Sequence, residues 1–159
     1  YLTGRDFLTL MAKLYDHPTT DVEVFAALDA LDLARDALDR SIRTWSKGMA
    51  QKLGLAACLL SGRALLVLDE PASGLDPRAR AALKAALRAR QASGATIFLT
   101  SHALADVDEM CDRMAVLHGG RLLFSGTPAE LRARHGAASL EDAFLAALAA
   151  AESPYSRAR

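Results

Sequence analysis

The run Leu65-Leu66-Val67-Leu68-Asp69-Glu70-Pro71 decides the fold class of this chain. Its apolar part, from Ala64 to Leu68, has the length of a β-strand and contains no polar residue. Such runs are typical of strands buried on both faces of a parallel sheet. Ligands of open α/β sheets bind beyond the carboxyl ends of the strands, where Asp69 and Glu70 stand. The run therefore predicts an α/β fold and makes these two carboxylates candidate site residues.

The carboxylate pair itself has two interpretations. Asp69 can hold Mg²⁺, a hard cation that prefers oxygen ligands. Glu70 can orient an attacking water or accept its proton. Alternatively, both are polar residues that simply end a strand, and spacing alone gives the two interpretations similar weight.

Toward the C-terminus the pattern alternates between helices and strands. Asp76 is an N-cap followed by Pro77 at the first helical position, and the helix should run to about Ser93. Thr96 to Thr100 has the pattern of a second buried strand. The remaining elements are a short helix at 103–111, a hairpin of Met114–His118 and Arg121–Ser125, a capping box at 127–130 and a final helix at about 140–151. This order predicts a parallel α/β sheet.

Toward the N-terminus the pattern is helical. Capping boxes begin at Thr3 and Thr20, and each precedes an apolar stripe with helical spacing, the first over residues 4–16. Ser46 is a candidate N-cap of a third helix that should end near Ser61. We expect a helical subdomain at 1–62, part of an α/β core at 63–150 and a disordered tail at 151–159.

Composition narrows the class of protein. The 159 residues carry 19 Lys and Arg against 19 Asp and Glu, so their formal net charge is zero and gives no reason to expect a nucleic-acid partner. Cys58 and Cys111 lie in apolar patterns and are expected to be core thiols. No apolar run has the length of a membrane span. The chain opens at Tyr1 rather than Met, so we expect a fragment or a processed product rather than a complete gene product.

Two further segments have polar residues at positions suited to phosphate binding. Ser46-Lys47-Gly48-Met49 opens a helix, where a hydroxyl and free backbone N–H groups form an anion site, although a plain N-cap explains the serine equally well. His102 follows the second strand, and it lies near Glu70 if the two strands are neighbours. It could then donate a hydrogen bond to a terminal phosphate, but a histidine after a strand is more often a surface residue.

Together these segments resemble one family. WSKGMAQKL at 45–53 resembles the signature motif of ABC ATPases, LLVLDEP at 65–71 the Walker B strand, and SGLDP at 73–77 the D-loop. FLTSH at 98–102 is similar to the switch-histidine strand, and CDRMAVLHGGRLLFSGTPAEL at 111–131 to the usual end of such domains. Each motif is weak alone, and their order makes the resemblance specific.

The resemblance implies a partial P-loop NTPase-like (RecA-like) core, preceded by a helical subdomain and ending in a hairpin and helices. It implies ATP and Mg²⁺ as cofactors, with Asp69 supporting the metal, Glu70 as the general base and His102 touching the γ-phosphate. The residues that would contact ATP held by a partner, or cross the dimer interface, are Ser46, Lys47, Gly48, Met49, Ser73 and Asp76.

The resemblance also implies partners. Two ATP-binding subunits, identical or different, close around two ATP molecules and drive transport through a transmembrane permease subunit. The protein would therefore sit at the cytoplasmic face of the cell membrane, and the helices at the start look like those of bacterial exporters. No nucleic acid is implied.

One departure affects activity. The phosphate-binding loop G-x-x-x-x-G-K-[ST] does not occur in residues 1–159, and the family places it before the point where this chain starts. We therefore expect this chain alone not to hydrolyse ATP. The alternative is a non-catalytic module that offers only its signature face to a partner ATPase. Trp45 replaces the leucine common at its position, and we expect it to pack rather than catalyse.

Overall fold

The computed structural model describes residues 2–152, and its contacts divide the chain after Thr100 into two compact units. Residues 153–159, most of the predicted disordered tail, lie outside the described residues, while residues 151 and 152 end the last helix. The contacts group the N-terminal helices with both parallel strands, and the predicted boundary at residue 62 stays a prediction. No helix in the described range is long and apolar enough to cross a membrane.

The first unit combines four helices with two strands. Both predicted capping boxes form: the side chains of Thr3 and Thr20 accept the N–H of the third residue of their helices. Short 3₁₀ turns follow α2 before the third helix begins. The elements are α1 Gly4–Tyr15, α2 Asp21–Ala30, 3₁₀ turns Arg35–Asp39 and Ile42–Thr44, α3 Lys47–Leu59, β1 Leu65–Leu68, α4 Pro77–Ala92 and β2 Thr96–Leu99.

The two strands of this unit pair in parallel, with Leu66 beside Ile97 and Leu68 beside Leu99. Leu66 and Leu68 are buried, but Val67 on the opposite face is 68% exposed. The prediction of a strand buried on both faces is therefore wrong for the described residues. Burial on two faces needs packing elements on both sides of the sheet, and among the described residues of this unit β1 buries only its Leu66 and Leu68 side.

The second unit is an antiparallel hairpin packed with three helices. The hairpin runs from β3 Met114–His118 to β4 Arg121–Gly126 and turns at two glycines of positive φ, as predicted for a two-residue loop. The helices are α5 Leu104–Met110, α6 Pro128–His135 and α7 Leu140–Glu152. The core of this unit consists of Val107, Val116, Phe124, Leu131, Leu140, Ala143 and Ala147.

Both cysteines are free thiols that are half-buried in their units. Burial raises the pKa of the Cys58 thiol, and burial together with the charge of Asp112 raises the pKa of Cys111. Both thiols are therefore held in the protonated form of an inert core residue, as the sequence predicts.

Trp45 packs against the start of α1. A Cβ atom added at Gly4 would lie 2.8 Å from Cη2 and 2.9 Å from Cζ2 of the indole ring. Backbone contacts also hold these two segments together. Ile42 donates its N–H to the Leu2 carbonyl at 3.1 Å, and Thr3 forms a β-bridge with Ser41. The segment that leads into α3 is thus fixed to the first turn of α1, and the prediction that Trp45 packs is confirmed.

Gly4→Ala should therefore destabilise the protein. The new methyl group meets the indole ring at a distance that requires displacement, and such overpacking costs about 1–3 kcal/mol. Gly54→Ala is the matched control: Gly54 also lies in a helix, but a Cβ there meets nothing within 4 Å, so we expect a gain of about 0.5–1 kcal/mol. Urea unfolding monitored by circular dichroism measures both changes, and a loss of equal size in the two variants would contradict the packing argument.

The exposed face of the strand pair should make residues 1–159 self-associate. Val67 and Phe98 are register partners, and both side chains are more than half exposed, at 68% and 61%. Paired apolar side chains on an open sheet form an aggregation-prone patch. We expect Val67→Thr combined with Phe98→Thr to shift the chain toward monomer in analytical ultracentrifugation. Val22→Thr, which replaces an exposed residue of α2 outside the strand pair, should leave association unchanged.

Candidate functional site

Parallel pairing places the ends of the two strands side by side. Asp69 and Glu70 follow β1 directly, and Thr100 follows β2. The N–H of Thr100 donates to the Leu68 carbonyl at 3.0 Å, which continues the strand pairing by one residue beyond β2. The two carboxylates and the threonine therefore meet at the carboxyl edge of the sheet, the ordinary place for ligands of such sheets.

The Thr100 hydroxyl bonds to the candidate metal ligand Asp69 and to the candidate general base Glu70. It donates to Oδ1 of Asp69 and accepts the backbone N–H of Glu70 at 3.0 Å. Sequence reasoning treated Thr100 only as the end of a strand and missed this contact. The contact follows from the register that pairs Leu68 with Leu99 and so sets Thr100 opposite Asp69, and the sequence alone does not give that register.

Glu70 has an unusual backbone conformation. Its φ of 47° lies in the left-handed region, which costs about 1–3 kcal/mol for a residue other than glycine and is frequent at functional sites. Its N–H is bonded to the Thr100 hydroxyl, and its carbonyl accepts the N–H of Ser73 at 3.0 Å. The chain consequently turns sharply away from the strand direction at Glu70, and the side chain is half-buried at that turn.

The turn after Glu70 leads to a capped helix. Ser73 is exposed, and Leu75 anchors the turn as a buried side chain. Asp76 caps α4 by accepting the N–H of Ala79 at 2.9 Å. This hydrogen bond, with the nearby charges of Lys52 and Arg78, lowers the pKa of the Asp76 carboxyl below its ordinary value. The predicted D-loop aspartate is thus held ionised at the start of a helix.

Ser46 caps the signature helix α3, where its hydroxyl accepts the N–H of Met49 at 3.2 Å. Ser46 and Lys47 are exposed, while Gly48 and Met49 are half-buried. A Cβ atom at Gly48 would meet no atom within 4 Å, so space is open beside the first turn. The structure confirms the N-cap, and contact of these four residues with a phosphate stays a prediction.

Two side chains of α3 tie the signature helix to its surroundings. Gln51 donates its Nε2 to the carbonyl of Pro71 at 2.8 Å, in the turn just after Glu70. Lys52 donates to the backbone carbonyl of Asp32 at 2.8 Å, and its side chain is only 12% exposed. Both residues belong to a motif in the sequence, but the sequence does not indicate these contacts, because each partner lies 20 residues away.

His102 belongs to the second compact unit. It is exposed and lies just before α5, in a turn where Ala103 donates its N–H to the Ser101 hydroxyl at 3.1 Å. Its contact with a γ-phosphate stays a prediction.

The donor set near Asp69 suits a magnesium ion shared with a phosphate ligand. Among the described residues, no group of three His, Cys, Asp or Glu side chains is arranged to hold a metal. Asp69 is exposed, and its Oδ1 is bonded to Thr100. Mg²⁺ is usually held by one or two carboxylates together with water and substrate phosphates. A single carboxylate at the sheet edge fits that pattern, whereas a cage built entirely of protein ligands does not.

Comparison with known families gives one match over more than half of the chain. Residues 13–105 match a model described as "AAA domain, putative AbiEii toxin, Type IV TA system". This range contains α2 and α3, both parallel strands and all the candidate site residues, from Ser46 to His102.

Curated relatives are ATP-binding proteins. An uncharacterised ABC transporter ATP-binding protein of Nostoc sp. is 42% identical over 82% of this chain and 40% of its own length. The daunorubicin/doxorubicin resistance ATP-binding protein DrrA of Streptomyces peucetius is 38% identical over 85% of the chain and 41% of its own length. A fluoroquinolones export ATP-binding protein of Mycobacterium tuberculosis is 39% identical over 82% of the chain and 42% of its own length. The chain spans about two fifths of the length of these relatives.

A solved structure has the same architecture. It is described as the "structure of ATP binding subunit of ABC transporter", and it superposes with a TM-score of 0.82 at 31% identity. The superposition covers 92% of this chain and 62% of the solved chain.

The cap at Asp76 should make stability depend on pH. A carboxyl whose folded-state pKa is lowered contributes stability that is fully present above its ordinary pKa near pH 4 and is lost as the pH falls through the folded-state pKa. Asp76→Asn keeps a capping oxygen but cannot titrate, so the stability advantage of the natural protein over this variant should shrink on acidification below about pH 4. Thermal unfolding of both proteins at several pH values between neutral and acid measures this difference in stability. An advantage that grows in acid would contradict the lowered pKa.

Proposed function

The chain belongs to the ATP-binding proteins of ABC transporters, and from that premise we propose that it forms the signature-bearing part of a subunit that hydrolyses ATP to drive transport. The observation that carries the proposal is the meeting of Asp69, Glu70 and Thr100 at the carboxyl edge of the parallel strands. A strand end that merely finishes in polar residues does not require a left-handed glutamate bonded to a neighbouring strand.

We assign the chemistry to the two carboxylates. Glu70 orients the attacking water and accepts its proton, which is the task of a general base. Asp69 would hold Mg²⁺, directly or through water, and the ion would supply positive charge that offsets the charge of the phosphates. His102, in the second unit, contacts the γ-phosphate.

We assign the recognition of ATP held by a partner subunit to the start of α3. Ser46 supplies a hydroxyl, Gly48 leaves open space for a phosphate, and the free N–H groups of the first turn attract an anion. Lys47 and Met49 complete this contact surface. Exposed Ser73 and ionised Asp76 face the partner across the dimer interface.

The partners follow from the family. We propose a second ATP-binding subunit, identical or different, and a transmembrane permease subunit, with the complex at the cytoplasmic face of the cell membrane. Leu10 and Leu14, one turn apart on α1, are exposed apolar residues that support a docking role for residues 1–45 toward the permease. Relatives named for drug resistance and drug export favour the exporter type.

Activity should require more than residues 1–159. Residues 1–159 contain no G-x-x-x-x-G-K-[ST] loop, which in this family cradles the β- and γ-phosphates. We therefore propose that the chain alone does not hydrolyse ATP, and that activity is found in the longest in-frame protein that contains it.

Glu70→Gln in that longest in-frame protein should abolish Mg²⁺-dependent ATP hydrolysis while ATP binding persists. The amide cannot accept a proton from water, and removal of a general base costs roughly 10²–10⁴-fold in rate. Phosphate release measures turnover, and a fluorescent ATP analogue measures binding. The matched control is Glu141→Gln, which changes an exposed glutamate in the first turn of α7.

Two outcomes would overturn these assignments. If Glu70→Gln retains full activity, Glu70 is not the general base. If the longest in-frame protein neither binds ATP nor releases phosphate, the result supports the alternative: a non-catalytic module that offers its signature face to a partner.

A further inference from the structure

We propose that Thr100 is a positioning residue that orients both carboxylates of the ATPase site through one hydroxyl group. The proposal deepens the proposed function and takes its chemical meaning from it. The two hydrogen bonds that carry it join three residues of the first unit: Asp69, Glu70 and Thr100.

The directions of the two hydrogen bonds are fixed by the chemistry of the groups. A hydroxyl has one proton to donate and lone pairs that accept. The backbone N–H of Glu70 can only donate, so the Thr100 oxygen accepts it at 3.0 Å. The hydroxyl proton is left for Oδ1 of Asp69, a charge-assisted bond when that carboxylate is ionised. One side chain thus connects the predicted metal ligand with the predicted base.

The first consequence concerns Asp69. Its carboxylate is exposed, and without a partner it would sample several rotamers. The bond to Thr100 engages Oδ1 and leaves Oδ2 for a metal ion or its water. The threonine therefore determines which oxygen faces the ligand.

The second consequence concerns Glu70. Its φ of 47° is a conformation that persists only when neighbouring groups hold it. The Thr100 hydroxyl holds the N–H on one side of the residue, and the Ser73 N–H holds the carbonyl on the other. Loss of the hydroxyl would release one of these two restraints and let the glutamate move.

A purely structural role for the Thr100 side chain is less well supported. The backbone N–H of Thr100 already pairs with the Leu68 carbonyl at 3.0 Å, so the strand ends are joined without the hydroxyl. Thr100 is also exposed, and its methyl group adds no buried core. What the hydroxyl adds is the pair of bonds to Asp69 and Glu70.

The test compares three variants of the longest in-frame protein. Thr100→Val keeps the β-branched shape and removes the hydroxyl, and Thr100→Ser keeps the hydroxyl. Thr96→Val makes the same replacement at the other end of β2 and serves as the control. We expect Thr100→Val to lower kcat about 10–100-fold and to weaken Mn²⁺ binding in the presence of ATP by a similar factor, with KM for ATP little changed. Thr100→Ser should restore both, and Thr96→Val should change neither.

A measurement on the metal-free protein separates this proposal from the proposed function. The amide of Glu70 should exchange its hydrogen faster in Thr100→Val than in the natural protein, and Thr100→Ser should restore slow exchange. Unchanged amide exchange in Thr100→Val would overturn the proposal even if Glu70→Gln abolishes hydrolysis. So would faster exchange with unchanged kcat and Mn²⁺ affinity, since Thr100 would then have a structural role only. If every form is inert, amide exchange and Mn²⁺ binding still decide the role of Thr100.

Discussion

Parallel pairing between β1 and β2 is the constraint on which the candidate site depends. The backbone bonds continue from the strands to Thr100, whose N–H reaches the Leu68 carbonyl at 3.0 Å. This extra bond sets Thr100 beside Asp69, and a shift by one residue would turn the threonine side chain to the opposite face. Main-chain hydrogen bonds thus place the residues of the candidate site before any side chain contributes.

Features encoded by neighbouring residues were predictable from sequence. Asp76 and Pro77 predict the start of α4, and Thr3 and Thr20 predict the starts of α1 and α2. Each of these caps forms as expected. Features that need distant partners were not. The exposure of Val67 depends on which elements cover the sheet, and the role of Gln51 depends on a carbonyl 20 residues along the chain.

The candidate site also combines features set by neighbouring residues with features that depend on distant partners. Asp69 and Glu70 could be named as candidates because carboxylates after an apolar run are a local pattern, yet their common partner Thr100 lies about 30 residues away. Ser46 and Asp76 show why motifs alone do not assign a role: both cap helices, and both are proposed to meet a partner subunit. A helix cap and a ligand contact use the same small polar residues, because both present an oxygen beside unpaired N–H groups.

The packing of Trp45 gives the chain a built-in optical probe. It is the only tryptophan in the sequence, and it directly precedes Ser46. Its Nε1 is buried, and among the described residues it has no hydrogen-bond partner, which is unusual for an indole in a protein interior. Indole emission shifts to longer wavelength when the ring meets water. The tryptophan fluorescence of the protein therefore reports on one place alone: the point where the signature segment is held against the first turn of α1.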